Sequence, residues 1–373
     1  MRILSVCGAG YVSGKEIVTL SLLTELKRRG HTVSSVMSSW SDGEFARRLD
    51  QAGIPAIRLP LGFVSKTWAW RPLKMTLHQM LLLPKLWTGY ARLLADTRPD
   101  IVLHTTFHHV VLLSPFMRGG RDFFHVHECF QPSRWYQRIF RVVFSKLAFV
   151  AVSQAVRRSL LRLGIPPDRI EVVPNGVSPG TGESTRAISE LVRIVVAGQV
   201  SPSKGLEDLI DALAMLRQRA LRFECRIFGK SDTEFGLRLR RRVDETGLSG
   251  SVRFMGFESD IDEIYAGADI SAVPSRLEEG FGLAAAEPAI RGVPVVATRN
   301  GGLCEIVEDG VSGLLVAPER PDELAEALGR LIRDVDLRTR LGAAARQRAM
   351  KLFSVEHMSA SLEAAMSGPK GGL

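Results

Sequence analysis

Ile270-Ser-Ala-Val-Pro-Ser-Arg276-Leu-Glu-Glu279-Gly-Phe-Gly282-Leu-Ala-Ala-Ala-Glu287 passes from an apolar run through a glycine-bearing loop into an alanine-rich helix start. Ile270–Val273 reads as a buried strand, and a helix begins near Leu283. Gly280 and Gly282 let the backbone approach a ligand closely, and the exposed amides of a helix start suit a diphosphate. Glu287 lies one turn in among small apolar residues, where a carboxylate accepts two hydrogen bonds side by side, as a ribose diol requires. Glu279, before the helix, is placed to reach a sugar hydroxyl. A surface helix with ordinary glutamates is the competing reading, disfavoured because an unpartnered buried charge costs several kcal/mol. Pro288 follows directly and is expected to disfavour helical geometry at Glu287.

The pattern around this stretch repeats. Strands are expected at Val192–Ala197, Cys225–Phe228, Val252–Met255, Val295–Ala297 and Leu314–Val316. Helices are expected at Leu206–Arg219, Glu234–Gly247, Asp322–Arg333 and Leu337–Lys351. Residues 1–178 alternate in the same way, with strands at Arg2–Val6, Thr32–Met37, Ile101–Leu103, Phe123–Val126, Phe149–Val152 and Ile170–Val173. A helix from about Lys15 to Arg29 follows the first strand, and Ser41 with Glu44 suggests a capping box for the next helix. Strands alternating with helices imply a parallel sheet covered on both faces. The fold class is therefore α/β, with two Rossmann-like parallel-sheet domains facing across a cleft. The expected division is 1–178, a Ser/Thr/Gly-rich linker 179–190, 191–352, and a C-terminal helix in 353–373 that packs back on the first domain. Ligands of such sheets sit beyond the carboxyl ends of the strands.

Bulk properties narrow the function classes. The 373 residues suit two cores rather than one. Cys7, Cys129, Cys225 and Cys304 have no zinc or disulfide spacing, so a reducing cytosol is expected. No targeting segment is seen, and the greasiest run, Met80–Leu83, stops at Pro84. Residues 1–178 hold 24 Lys and Arg against 11 Asp and Glu, a charge of +13; the remainder holds 25 against 29, or −4. A basic half suits an anionic lipid or an acidic acceptor. Nucleic acid is not expected, for want of any motif that reads it. Between Arg58 and Arg98, Trp68, Trp70 and Trp87 accompany seven basic residues and one acid, a composition shared by membrane-interface segments and ordinary packed helices. Arg71, Lys74 and Lys85 are the charges on which the membrane reading rests.

Three further segments carry chemistry. In Gly198-Gln-Val-Ser-Pro-Ser-Lys204-Gly205, a lysine before a helix start binds phosphate as a point charge. Ser201 and Lys204 also spell Ser-x-x-Lys, without the rest of that hydrolase signature. In Phe124-His125-Val-His127-Glu128, the histidines share one face of a strand. A metal pair and a buried core pair are both open to them, although no third ligand is evident. The opening loop, Gly8-Ala-Gly10-Tyr-Val-Ser-Gly14-Lys-Glu16, lacks dinucleotide spacing, and no acid ends the second strand. Asp260-Ile-Asp262 reads as a helix start, so no bound metal is expected.

The paired glutamates eight residues apart, with Gly-Phe-Gly between them, resemble the signature of glycosyltransferase family 4, which has the GT-B fold. Gly292-Val-Pro-Val-Val-Ala, Asn300-Gly-Gly-Leu-Cys-Glu305 and Glu308-Asp-Gly-Val-Ser-Gly-Leu-Leu-Val resemble its next blocks. The resemblance covers nearly all of 170–350 and is looser before 170. It implies a metal-independent, retaining hexosyltransferase using a nucleotide-sugar, with a UDP-sugar favoured and no other cofactor. The implied acceptor is a polysaccharide, lipopolysaccharide or lipid-linked glycan. The implied donor site is Lys204, Gln199, Gly282, Leu283 and Glu287, with Glu279 and His127 catalytic. Gln199 stands where the family commonly has arginine, so either another basic residue compensates, with Arg276 and Lys230 the candidates, or donor affinity is lower. The first domain is implied to bind acceptor, with Gly10, Gly14 and Glu16 beside the sugar; Glu16 serves equally well as a helix cap. Val173-Pro-Asn175-Gly176-Val177 also matches the family and suits a tight turn. A nucleotide-sugar epimerase and a nucleotide-sugar binder without turnover are the rival readings, the second resting on Gln199.

Overall fold

The computed structural model describes residues 1–8, 10, 12–62, 70–180 and 191–367, without the side chains of 70–73. Most of the expected linker, residues 181–190, lies outside the described residues, as do Trp68 and the side chains of Trp70 and Arg71. The chain forms two compact units. One comprises Met1–Gly176 with the chain from Val355 onward; the other is Val177–Ser354.

In the first unit β1 (Arg2–Val6), α1 (Gly14–Arg28), β2 (Thr32–Ser38), α2 (Glu44–Gln51), β3 (Ala56–Leu59) and α3 (Trp70–Thr97) come first. They are followed by β4 (Ile101–His104), α4 (Phe107–Leu113), β5 (Asp122–Val126), α5 (Arg134–Val142), β6 (Ala148–Ala151), α6 (Gln154–Arg162) and β7 (Ile170–Val172). The sheet order is β3-β2-β1-β4-β5-β6-β7, and every pairing is parallel. Leu4, Val6, Val36 and Val102 meet Leu86 and Tyr90 of α3 and Leu112 of α4 in one core layer. The edge strand β3 was not legible in the sequence: four residues exposing Ala56 and Arg58 carry no strong apolar signal. α2 also departs from expectation. Its N-cap is Gly43 rather than Ser41, and Asp42 Oδ1 accepts from the Glu44 N–H at 3.0 Å. Glu44 instead holds Arg47 and Arg48.

The second unit runs β8 (Val192–Ala197), α7 (Leu206–Gln218), β9 (Phe223–Phe228), α8 (Glu234–Glu245), β10 (Val252–Gly256), α9 (Ile261–Tyr265) and β11 (Ile270–Val273). It continues with α10 (Leu283–Ile290), β12 (Val295–Thr298), α11 (Leu303–Ile306), β13 (Gly313–Val316), α12 (Pro321–Arg333) and α13 (Val335–Leu352). The order β10-β9-β8-β11-β12-β13 is again wholly parallel. Ile194, Val196 and Ala272 pack with Leu209, Leu213 and Leu328 on one face. Val195 and Phe228 pack with Ile264, Tyr265 and Val293 on the other. These are two parallel-sheet α/β units, the class expected.

The last helix, α14 (Val355–Ser367), belongs to the first unit and packs on α1. Met358 and Leu362 are fully buried, and Glu363 accepts from Arg29 Nε at 2.7 Å and pairs with His31.

In both sheets the chain works outward from a central strand in one direction, then returns to its other side. The reversal falls between β1 and β4 in the first unit and between β8 and β11 in the second. At such a switch point the flanking loops diverge and open a crevice at the strands' carboxyl ends.

Candidate functional site

The second unit's switch point is built from the loops after β8 and β11. Gly205 adopts φ +64°, and a Cβ there would lie 1.9 Å from the Pro274 carbonyl oxygen. Only glycine lets the two loops touch. That approach brings Lys204, in the 3-10 turn Pro202–Lys204, to Glu279: Nζ lies 2.5 Å from Oε1. Ser275 Oγ donates to the same oxygen at 2.5 Å. Ser275 is in turn fixed by Thr298 Oγ1, which donates to its carbonyl at 2.7 Å. The Gly302 N–H donates to the Glu279 carbonyl at 2.8 Å, so the Asn300-Gly-Gly block supports this loop. Lys204 and Glu279 remain partly exposed, at 33% and 18% of their side chains.

Gly282 caps α10 at φ +107°, where a Cβ would meet Leu303 Cδ2 at 2.6 Å. The amides from Leu283 onward therefore start the helix at the crevice. Glu287 is half-buried in α10; burial pushes its carboxyl up to about 7, with the Arg291 guanidinium pulling the other way. Among the described residues its carboxylate has no hydrogen-bond partner, whereas Arg291 is held by Asp262 Oδ1 at 2.6 Å.

The helix runs through Pro288 to Ile290, although Pro288 was expected to disfavour helical geometry at Glu287. A proline's φ is itself helical; the cost lies in the missing N–H. Here Tyr265 Oη donates to the Ala284 carbonyl, the one that residue 288 would otherwise satisfy, at 3.4 Å. Asp260 caps α9 by accepting from the Asp262 N–H at 2.9 Å, and Asp262 holds Arg291, so both acids have structural work.

Arg276 and Lys230 were the candidates to compensate for the neutral, exposed Gln199. Arg276 is not available as one: Asp208 holds it at 2.6 and 2.8 Å and Glu207 at 2.9 Å, and its guanidinium is raised further by those carboxylates. Lys230 is exposed, with its ammonium 5.7 Å from the Phe257 ring centroid. Its loop adjoins that of Gln199, because a Cβ on Gly229 would lie 2.1 Å from the Gly198 carbonyl oxygen.

At the first unit's switch point, Glu16 accepts from the Ser13 N–H at 3.0 Å and from the Ser13 hydroxyl. It is 2% exposed and forms the helix cap, one of its two expected uses. Gly14 opens α1, and Gly10 accepts from the Asp42 N–H through its carbonyl. Lys15 was missed in the sequence. Its ammonium donates to Thr106 Oγ1 at 2.9 Å, joining the ends of β1 and β4. A basic residue between a glycine-rich loop and a helix was the available signal.

His125 and His127 do share a face, with ring centroids 4.2 Å apart. His125 is fully buried with both ring nitrogens unpartnered, and burial pushes it down to about 4. Burial lowers His127 as well, reinforced by His125 and Lys15, so both rings are neutral. Among the described residues no group of three or more His, Cys, Asp or Glu side chains is arranged to hold a metal ion. Behind them His104 Nε2 bonds Asp122 Oδ1 at 2.9 Å. Burial raises the Asp122 carboxyl, but His104, the Arg118 N–H and Arg121 more than offset it. No described helix is long and apolar enough to cross a membrane.

Known proteins share this architecture. A glycosyltransferase from Rickettsia africae superposes with a TM-score of 0.82 at 22% identity, covering 98% of this chain and 97% of the other. Anabaena Alr3699/HepE, solved with UDP and glucose, gives 0.80 at 22% identity, covering 98% and 99%. In sequence, the D-inositol 3-phosphate glycosyltransferase of Salinispora arenicola is 35% identical over 226 residues, 54% of this chain and 50% of that protein. The MMP alpha-(1->4)-mannosyltransferase of Mycolicibacterium hassiacum is 32% identical over 237 residues, 61% and 56%. The chain spans about half the length of the curated relatives it matches. Residues 184–348 match the model of the glycosyl transferases group 1, and residues 12–180 match that of Glycosyltransferase Family 4. With both halves matched and both units of the GT-B type, the chain belongs to glycosyltransferase family 4.

Proposed function

We propose that this protein is a retaining glycosyltransferase that moves a hexose from a nucleotide-sugar, with a UDP-sugar favoured, to a polysaccharide, lipopolysaccharide or lipid-linked glycan. The observation that carries the reading is the Lys204–Glu279 pair at the second unit's switch point, with the open carboxylate of Glu287 on the helix that follows. Support for the donor comes from neighbours crystallised with UDP and UDP-glucose. The lipopolysaccharide setting is supported by fold neighbours at 16% and 15% identity, an outer core galactosyltransferase, WaaB, and the biosynthetic glycosyltransferase WaaG.

In this reading Glu287 accepts from the ribose hydroxyls. Lys204 and the α10 amides at Gly282 and Leu283 hold the diphosphate, and their fixed charge and dipoles stabilise it as it leaves, without a metal ion. Lys230 supplies the positive charge that Gln199 lacks. Glu279 positions a sugar hydroxyl, and His127, neutral, orients another while its backbone carbonyl faces charge at the anomeric carbon. The anomeric carbon–oxygen bond to the diphosphate breaks and a bond to the acceptor hydroxyl forms on the same face; the hydroxyl proton leaves with the diphosphate. The first unit is assigned to the acceptor and to contact with anionic membrane.

Incubation with a panel of nucleotide-sugars and glycan acceptors tests the reading. Nucleoside diphosphate released together with a glycosylated product supports it. Conversion of the donor sugar without transfer would favour an epimerase. Binding without turnover would favour a degenerate binder, the reading for which the neutral Gln199 speaks.

A further inference from the structure

The chain passes between its two units twice, outward at Gly176–Val177 and back at Ser354–Val355. Within the second unit Val177 and Ser354 pair in a parallel bridge, and the Val177 N–H donates to the Phe353 carbonyl at 2.8 Å. The Phe353 N–H donates to the Ala349 carbonyl in the last turn of α13, also at 2.8 Å. Phe353 is thus fixed through both its backbone N–H and its carbonyl, and it is 4% exposed. Its ring meets that of Phe281, likewise 4% exposed, edge to face, with 5.6 Å between centroids and 78° between planes. Phe281 stands between Glu279 and Gly282, in the loop that leads into α10.

No step above uses either ring. The backbone of the loop is held from the donor crevice. A Cβ on Gly302 would lie 2.7 Å from the Phe281 Cα, so the Asn300-Gly-Gly block closes that side. The Glu279 carbonyl accepts from the Gly302 N–H at 2.8 Å, and the Gly282 carbonyl accepts from those of Ala285 and Ala286 at 2.9 and 3.1 Å. The one aromatic side chain of the loop points the other way, onto the residue that caps α13 and precedes the return crossing. A ring pair of this geometry contributes beyond its buried area. Emptying the Phe353 position leaves Phe281 a void to settle into, and Gly280 and Gly282, without a Cβ, let the chain follow. The atoms displaced are those between the Glu279 carboxylate and the first amides of α10.

We infer that Phe353 is a positioning residue: through Phe281 it holds the Glu279–Gly282 loop in place and couples that loop to the point where the chain leaves the second unit. A coupling of this kind is reciprocal. Its effect on turnover rests on the glycosyltransferase reading; the coupling itself does not.

Amide hydrogen exchange on the full, unliganded chain tests the coupling in both directions. Phe353→Ala should speed exchange about tenfold at Gly302, Ala285 and Ala286, the amides bonded to the loop carbonyls, and Phe281→Ala should do the same at Val177, while the strand amides of β8 and β11 keep their rates. Turnover of the nucleotide-sugar that the donor panel identifies tests the positioning. Phe353→Ala should lower kcat about tenfold or more, toward the roughly 100-fold that a misplacement of about 1 Å costs, with affinity for the donor's nucleoside diphosphate within about threefold because Lys204 and Glu287 are untouched. Phe353→Leu, which refills most of the volume, should recover most of the rate and of the slow exchange. Exchange indifferent to either substitution, or kcat and nucleotide affinity lost together with no recovery in Phe353→Leu, would overturn the inference. A parent chain that turns over no donor would instead count against the proposed function, and the exchange rates would then decide the coupling by themselves.

Discussion

Lys204 and Glu279, 75 residues apart, share an ion pair at 2.5 Å in which Ser275 is the third partner. The pair couples a group meant for phosphate to one meant for sugar. Removing the carboxylate charge releases the ammonium to the diphosphate. Glu279→Gln is therefore expected to bind nucleoside diphosphate at least as tightly as the parent while turnover falls about 100-fold or more, the usual size for a lost electrostatic contact. Lys204→Ala should weaken nucleotide binding itself. Calorimetry beside turnover separates the two, and equal turnover in Glu279→Gln would remove that residue from the mechanism.

Glu287 gives the site a pH dependence. A carboxyl pushed up to about 7 is about one-tenth ionised at pH 6 and about nine-tenths at pH 8. If the ionised form accepts from the ribose diol, nucleotide affinity should rise roughly tenfold over that interval. Glu287→Gln should flatten the dependence. The same group opposes folding when ionised: its folded value lies above the unfolded one near 4.5, so its contribution falls as pH rises between them. Glu287→Gln should therefore unfold at higher temperature than the parent at pH 8, with a gain on the order of 3 kcal/mol and none at pH 4.

Tyr265 and Pro288 form a testable couple. Tyr265→Phe removes the donor to the Ala284 carbonyl and should cost about 1 kcal/mol. Pro288→Ala restores a backbone donor to that carbonyl. The tyrosine substitution should then cost less than half as much, and a double-mutant cycle in urea measures the difference. Additive effects would show that the hydroxyl does not replace the missing N–H.

The membrane assignment concerns basic and apolar residues exposed on two helices of the first unit. Lys74, Met75, Leu77, Met80, Leu81, Lys85 and Trp87 are exposed on α3, and Arg134, Trp135, Arg138, Arg141 and Val142 on α5. Lys74→Glu, Lys85→Glu and Arg138→Glu together should abolish flotation with phosphatidylglycerol vesicles. Each basic residue near such a surface contributes about 1 kcal/mol, so three reversals weaken binding at least about 100-fold. Unchanged flotation, or equal flotation with phosphatidylcholine, would refute the assignment.

Buried apolar runs made most strands legible from the chain alone, because a parallel strand covered on both faces leaves an uninterrupted hydrophobic word. Val192–Ala197 and Ile270–Val273 appear with the bounds read from sequence. The edge strand β3, half exposed, left none. The glycine-framed glutamate pair and the lysine loop were also local words, enough to indicate the family and the chemistry. What distance in sequence hides, only the fold decided. It paired Lys204 with Glu279, tied Arg276 to Asp208 and Glu207 and so withdrew it from the diphosphate, and carried α14 back to α1. It set Tyr265 beneath Pro288 and Phe353 against Phe281. Residue type and spacing determine which groups a chain can offer; the close packing of loops at two switch points determines which of them remain free to meet a substrate.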